Sequence, residues 1–179
     1  MKLKDFFFSY IQSTKVDLAK KKYFKAFRKL FNYPYKFILN KFRELFSLGK
    51  NNLDQKEKID RKTSFDDLFM KFNSDKASKF VINNEKINGH NYSPFYEKYL
   101  SKYKNLRDLN ILEIGSLRGA ATASFFNYFD TPKIVCADIN PFQLKVYSKN
   151  IRPIYVDTQS NDILERLSAF LNEEFDIII

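Results

Sequence analysis

Asn110-Ile111-Leu112-Glu113-Ile114-Gly115-Ser116-Leu117-Arg118-Gly119 is the stretch on which the fold turns. A short apolar run broken only by one acid reads as a buried strand, and glycines at 115 and 119 allow a tight turn into whatever follows. Residues 119–129 (GAATASFFNYF) suit a helix. Outward from there, Lys133–Ile139 is a second strand ending in an acid, and Asn140-Pro141 caps a helix running through Lys149. Ile154-Tyr155-Val156-Asp157 is a third strand, Asn161-Asp162 starts a helix through Leu171, and Phe175–Ile179 is a fourth strand. Strands alternating with helices of this length call for an α/β fold with a parallel sheet covered on both faces. Upstream, Ser64–Phe72 reads as a short helix. Ser93 is the expected N-cap of another, with Pro94 in its first turn.

In open parallel sheets, ligands bind beyond the carboxyl ends of the strands. Glu113, Gly115, Ser116 and Gly119 lie at the first such end, Asp138 at the second and Asp157, with Gln159 nearby, at the third. An acid at position 138 suits two ribose hydroxyls, which nicotinamide dinucleotides and nucleoside methyl donors both carry. A dinucleotide pyrophosphate needs glycine at the third and sixth positions of the turn, counted from Gly115. Those positions hold Leu117 and Ala120, and the leucine obstructs. S-adenosylmethionine has no phosphate, so a Gly-x-x-x-Gly turn suffices for it. Each acid also has a plainer role: Glu113 as a pairing group at a strand end, Asp138 as a turn residue, Asp157 as a loop acid. His90 is the only histidine, and a lone histidine is more often structural than catalytic.

Leu112-Glu113-Ile114-Gly115, then Asp138-Ile139-Asn140-Pro141, then Val156-Asp157 together resemble the first three cofactor motifs of class I S-adenosylmethionine-dependent methyltransferases. Ser74-Asp75-Lys76, His90-Asn91-Tyr92 and Tyr96-Glu97 further resemble the branch that includes bacterial macrolide-sugar and glycan O-methyltransferases. The resemblance implies a Rossmann-like sheet, of which residues 63–179 hold the first four of seven strands. It implies S-adenosylmethionine as cofactor, with Glu113, Gly115, Ser116 and Gly119 around its methionine end, Asp138 on the ribose, and Asp157 with Gln159 near the adenine. His90 and Tyr92 would lie on a segment closing over the pocket, and the acceptor would be a sugar or glycan hydroxyl. In that branch the divalent-metal ligands and the base follow the fourth strand, so the chain is expected to be the cofactor-binding part of a longer protein, with a metal only there. Arg118 and the missing central glycine make the first loop bulkier than the common Gly-x-Gly form.

The net charge of +10 is unevenly spread. Residues 1–62 carry 17 Lys+Arg and 6 Asp+Glu, whereas residues 63–179 carry 14 and 15. Residues 1–48 are therefore expected to form a basic amphipathic helical segment, and the polar stretch 49–62 a linker. Within the segment, Leu18, Tyr23, Phe24, Phe27, Leu30 and Phe31 recur at helical spacing, Asn32-Tyr33-Pro34-Tyr35 is expected to break the helix, and Tyr35–Phe46 resumes it. Such a segment (residues 18–48) suits an anionic membrane surface, packing on its own domain or a second copy, or, less well, nucleic acid. The alternative to an enzyme is a peripheral membrane or assembly module with a vestigial α/β part; an RNA methyltransferase is weaker still. No apolar run is long enough to span a bilayer and no secretory signal is evident, so a cytoplasmic place, if any at the inner membrane face, is expected. One Cys and one His leave nothing for an intrachain disulfide or a zinc site.

Overall fold

The computed structural model of the protein describes residues 1–45, 51–54, 62–160 and 162–179. Two helices, α1 (Leu3–Ala19) and α2 (Tyr23–Leu45), precede the short strand β1 (Asn51–Asn52). Helix α3 (Phe65–Lys71), the antiparallel hairpin β2 (Lys79–Ile82) and β3 (Glu85–Asn88), and α4 (Ser93–Leu100) follow. The remainder runs β4 (Asn110–Ile114), α5 (Ala120–Tyr128), β5 (Lys133–Asp138), β6 (Val146–Tyr147), β7 (Ile151–Tyr155), α6 (Ile163–Leu171) and β8 (Ile177–Ile178).

Strands β7, β5, β4 and β8 form, in that order, an all-parallel sheet. Its residues alternate between two apolar layers, as the period of two in a strand dictates. Ile111, Ile134 and Cys136 point toward α3, α4 and α5, where Phe65, Phe69, Phe125 and Tyr128 form an aromatic core. Leu112, Val135, Ala137 and Ile154 point the other way, onto Ile163, Leu167 and Leu171 of α6 and onto Phe8 and Val16 of α1. Both faces are thus covered. Numbering the four strands along the chain gives the order 3-2-1-4, so the chain reverses across the sheet between β4 and β8.

Helix α1 closes the β7 edge. The Tyr155 amide points away from β5 and donates to Ser9 Oγ at 2.9 Å. Pro153, two residues earlier on the same edge, has no amide to satisfy. Arg152 donates from Nε to Asp5 Oδ1 at 2.8 Å and from Nη1 to Glu173 Oε1 at 2.7 Å, and Phe8 stacks on Phe170 at 4.2 Å. The amino-terminal segment is therefore built into the fold through α1 rather than hung beside it.

Several local expectations change. Helix α2 runs through Pro34; the break falls instead at Lys20–Lys22. Tyr33 and Phe37, one turn apart across the proline, both dock on Phe6, and that contact holds the helix together. In place of a helix from 141 to 149 there is one 3-10 turn (Pro141–Gln143) followed by β6. Extended backbone there lets Leu144 and Val146 both lie over Gly119. The third strand is Ile151–Tyr155, starting three residues earlier than read from Ile154-Tyr155-Val156-Asp157. Tyr92, not Ser93, is the N-cap of α4, because the Ser93 hydroxyl is taken by Asp66 at 2.6 Å. Of the stretch read as a linker, residues 49–50 and 55–61 lie outside the described residues. Residues 51–54 pair with β6 and bury Leu53, while Asp54 accepts from Ser148 Oγ and the Lys149 amide.

Candidate functional site

The carboxyl ends of β4 and β5 lie side by side, and the loop after β4 is fixed by the acid at the end of β5. The Asp138 carboxylate accepts from the Leu117 amide at 2.8 Å on Oδ2, and from the Asn140 amide at 2.8 Å and Gln143 Nε2 at 3.1 Å on Oδ1. Leu117 is held at a left-handed φ of 48° with its side chain exposed, so the bulky residue of this loop points outward. Gly115 has φ 86°, its amide donates to the Ala137 carbonyl at 2.7 Å, and a Cβ built on it meets nothing within 4 Å. The turn thus borders open space. Gly119, also at φ 86°, differs: a Cβ there would lie 2.7 Å from both Leu144 and Val146. It serves the close approach of the chain to itself.

Glu113 is the buried acid of this site, 2% exposed. Oε2 accepts from the Thr122 hydroxyl of α5 at 2.5 Å, and Oε1 is buried with no hydrogen-bond partner. Burial pushes its carboxyl up to about 7; Thr122 and the Lys76 ammonium oppose the rise and Asp138 adds to it. Ser116, just after the Gly115 turn, is buried as well.

The segment carrying His90 and Tyr92 is tied by a backbone ladder to the turn that follows α3. The His90 amide donates to the Asp75 carbonyl at 2.7 Å and the Tyr92 amide to the Lys76 carbonyl at 2.9 Å, continuing beyond the β2–β3 hairpin. Asp66 of α3 pins the ladder by accepting from Ser78 N and Oγ and from Ser93 Oγ. Burial works to raise the Asp66 carboxyl, but these donors outweigh it and hold it below the usual range. His90 stacks on Tyr92 with ring centres 5.4 Å apart, and its Nε2 lies 3.7 Å from Asp75 Oδ2; both rings are exposed. Two further groups are coupled to Glu113 by charge: the Lys76 ammonium opposes the rise of its carboxyl, and burial first, then Glu113, push the Tyr96 hydroxyl up to about 12. Both lie in the motifs Ser74-Asp75-Lys76 and Tyr96-Glu97, although neither is among the candidate residues expected from the sequence.

Asp157 lies at the neighbouring strand end, one residue past Val156, whose amide donates to the Asp138 carbonyl at 3.0 Å, but its carboxylate is engaged elsewhere. Its carboxylate is 2.9 Å from Lys20 Nζ and accepts from the Gln159 amide at 3.1 Å. Burial works to raise it, and the lysine and the amide bring it below the ordinary carboxylate range. The third strand-end acid therefore joins the α1–α2 turn to the sheet. A cavity of about 500 Å³ lies at the opposite end, lined by the first residues of β4, β5 and β7 with Lys133, Lys149 and Arg152. That is the amino-terminal side, where open parallel sheets do not place their ligands. Among the described residues no group of three His, Cys, Asp or Glu is placed to hold a metal ion.

No family model, no curated protein and no solved structure matches the chain. The site therefore stands on its own geometry.

Proposed function

We propose that the protein binds S-adenosylmethionine at the carboxyl ends of β4 and β5, within a Rossmann-like sheet, and serves methyl transfer to a hydroxyl of a sugar or glycan. The observation that carries the reading is the orphan Oε1 of Glu113, a buried acceptor beside a glycine turn that borders open space. A buried acceptor without a partner costs free energy, and a ligand donor that fills it recovers that cost. The ammonium of an amino acid tail is such a donor, and it would draw the Glu113 proton off.

Bound S-adenosylmethionine supplies an electrophilic methyl group on a sulfonium. The chain's part is to hold and orient. Glu113 takes the amino acid end, and Gly115 with Ser116 lets the backbone pass close to it. Asp138 has about four acceptor directions, three of them used by Leu117, Asn140 and Gln143. One remains for a ribose hydroxyl, and a second opens if Gln143 swings away. Asp157 fits an adenine less well, since Lys20 already occupies it. His90 and Tyr92, carried by the hairpin ladder, close over the site from the side of Lys76. An acceptor oxygen held in line gains from proximity, and proton removal adds base catalysis.

Lys20 on Asp157 also favours a second reading, in which the α/β part is a scaffold for α1 and α2 and binds no cofactor. Thermal unfolding separates the two. S-adenosylmethionine raises the Tm in proportion to ligand excess, and NAD leaves it unchanged. Equal melting curves with and without S-adenosylmethionine favour the scaffold.

A further inference from the structure

A helix in a globular protein normally turns its apolar face to the core. Helix α2 does the reverse. At 3.6 residues per turn, Ala26, Tyr33, Phe37 and Asn40 fall on one side, and these are the residues buried or packed against α1 and Phe142. Phe24, Phe27, Phe31, Tyr35, Ile38 and Phe42 fall on the far side, each more than half exposed, with Phe24 at 75% and Ile38 at 67%. Helix α1 adds Leu3, Phe7 and Ile11, also exposed and opposite its residues that dock on β7 and α6. The two helices thus hold an apolar face away from the sheet.

The charges beside that face indicate its occupant. Between Lys20 and Arg43 the chain carries nine Lys+Arg and no Asp or Glu. Lys20, Lys25 and Lys29 are partnered internally by Asp157 and Asp17. Lys21, Lys22, Arg28 and Lys36 are exposed, and the cations on α2 lie mostly between its buried side and its apolar side. A second copy brought against this face would add its own cations to these. A nucleic acid would meet a broad apolar band before any interleaved charge. We propose that α2, assisted by α1, lies in the interface of an anionic lipid membrane, with its phenylalanines among the acyl chains and its cations at the headgroups. No described helix is long and apolar enough to cross a bilayer, so the contact is peripheral.

Co-sedimentation of the full chain with vesicles tests this independently of cofactor binding. The protein should pellet with phosphatidylglycerol-containing vesicles at low salt, and pellet poorly with phosphatidylcholine alone or at high salt. Phe31→Ala should weaken partitioning about tenfold, from the apolar area it withdraws. Arg28→Glu and Lys36→Glu should each weaken it at least about fivefold on anionic vesicles. These side chains are exposed, so far-UV circular dichroism should be unchanged. Failure of the folded wild type to pellet with anionic vesicles overturns the proposal, as does a dimer that dissociates on Phe31→Asp in a protein that ignores vesicles. Salt-sensitive RNA binding without vesicle binding overturns it as well.

Discussion

Glu113 is a carboxyl buried at the end of β4, with one oxygen left without a partner. Burial pushes its carboxyl from an ordinary 4.5 up to about 7. The folded state therefore holds this proton more tightly than the unfolded chain does. Stability contributed by the group is greatest below about 4.5, declines as pH rises through 7, and levels off above. The range amounts to about 3 kcal/mol. Chemical denaturation at pH 5 and pH 8 should show Glu113→Gln gaining on wild type at the higher pH, and a pH-independent difference would contradict the burial argument. Cofactor affinity should run in the opposite sense, strengthening as pH rises through 7 and Glu113 becomes free to pair with an ammonium. Gly119→Ala tests the second feature of the loop. A left-handed φ combined with contact at 2.7 Å to Leu144 and Val146 should cost about 2 kcal/mol, measured by urea denaturation. Cys136 sits in the same layer, and burial pushes its thiol well up. It should resist a thiol-specific reagent in the folded protein and react once the chain is unfolded.

Among the elements, α1 binds the edge of the sheet through polar groups that the sequence does not flag. Asp5 is fully buried against Arg152, and Ser9 accepts the free amide of Tyr155. Asp5→Ala leaves Arg152 with Glu173 alone and should cost about 3 kcal/mol in urea denaturation, because a buried cation loses its better partner. Loss below about 1 kcal/mol would mean that α1 is only loosely held. This docking was hidden because a polar residue on an amphipathic helix reads as solvated until its partner is seen. The sheet was legible for the opposite reason. Strands buried on both faces read as compact apolar runs, and Ile111-Leu112 and Ile134-Val135 divide between layers without needing tertiary information. Residues 141–149 misled because Asn140-Pro141 is a good helix opener. Packing of Leu144 and Val146 on Gly119 and pairing of β6 with β1 overrode that local preference. The site was half legible: the loop after Glu113 and Gly115 is tied to Asp138, while the influence of Lys76 on Glu113 depends on how the turn after α3 is placed, which no local pattern announces, and Asp157 is claimed by Lys20 from 137 residues away.

Over the whole molecule, charge and chemistry are divided. The basic excess lies in residues 1–62, and α2 carries its cations and apolar face to the outside. The strand ends that hold Glu113 and Asp138 belong to the nearly neutral remainder. Lys20 links the two parts, since the turn between α1 and α2 is anchored on the acid after β7. Lys20→Ala should therefore lower stability while leaving S-adenosylmethionine affinity within about threefold if Asp157 is structural. The central claim is that the orphan oxygen of Glu113 receives the amino acid end of S-adenosylmethionine. Isothermal titration of the full chain with S-adenosylmethionine at pH 8, wild type beside Glu113→Gln, addresses it directly. The wild type should bind and the variant should lose at least about tenfold in affinity, the weight of a hydrogen bond to a charged group. Absence of binding by folded wild type, or equal affinity in the two proteins, would contradict it.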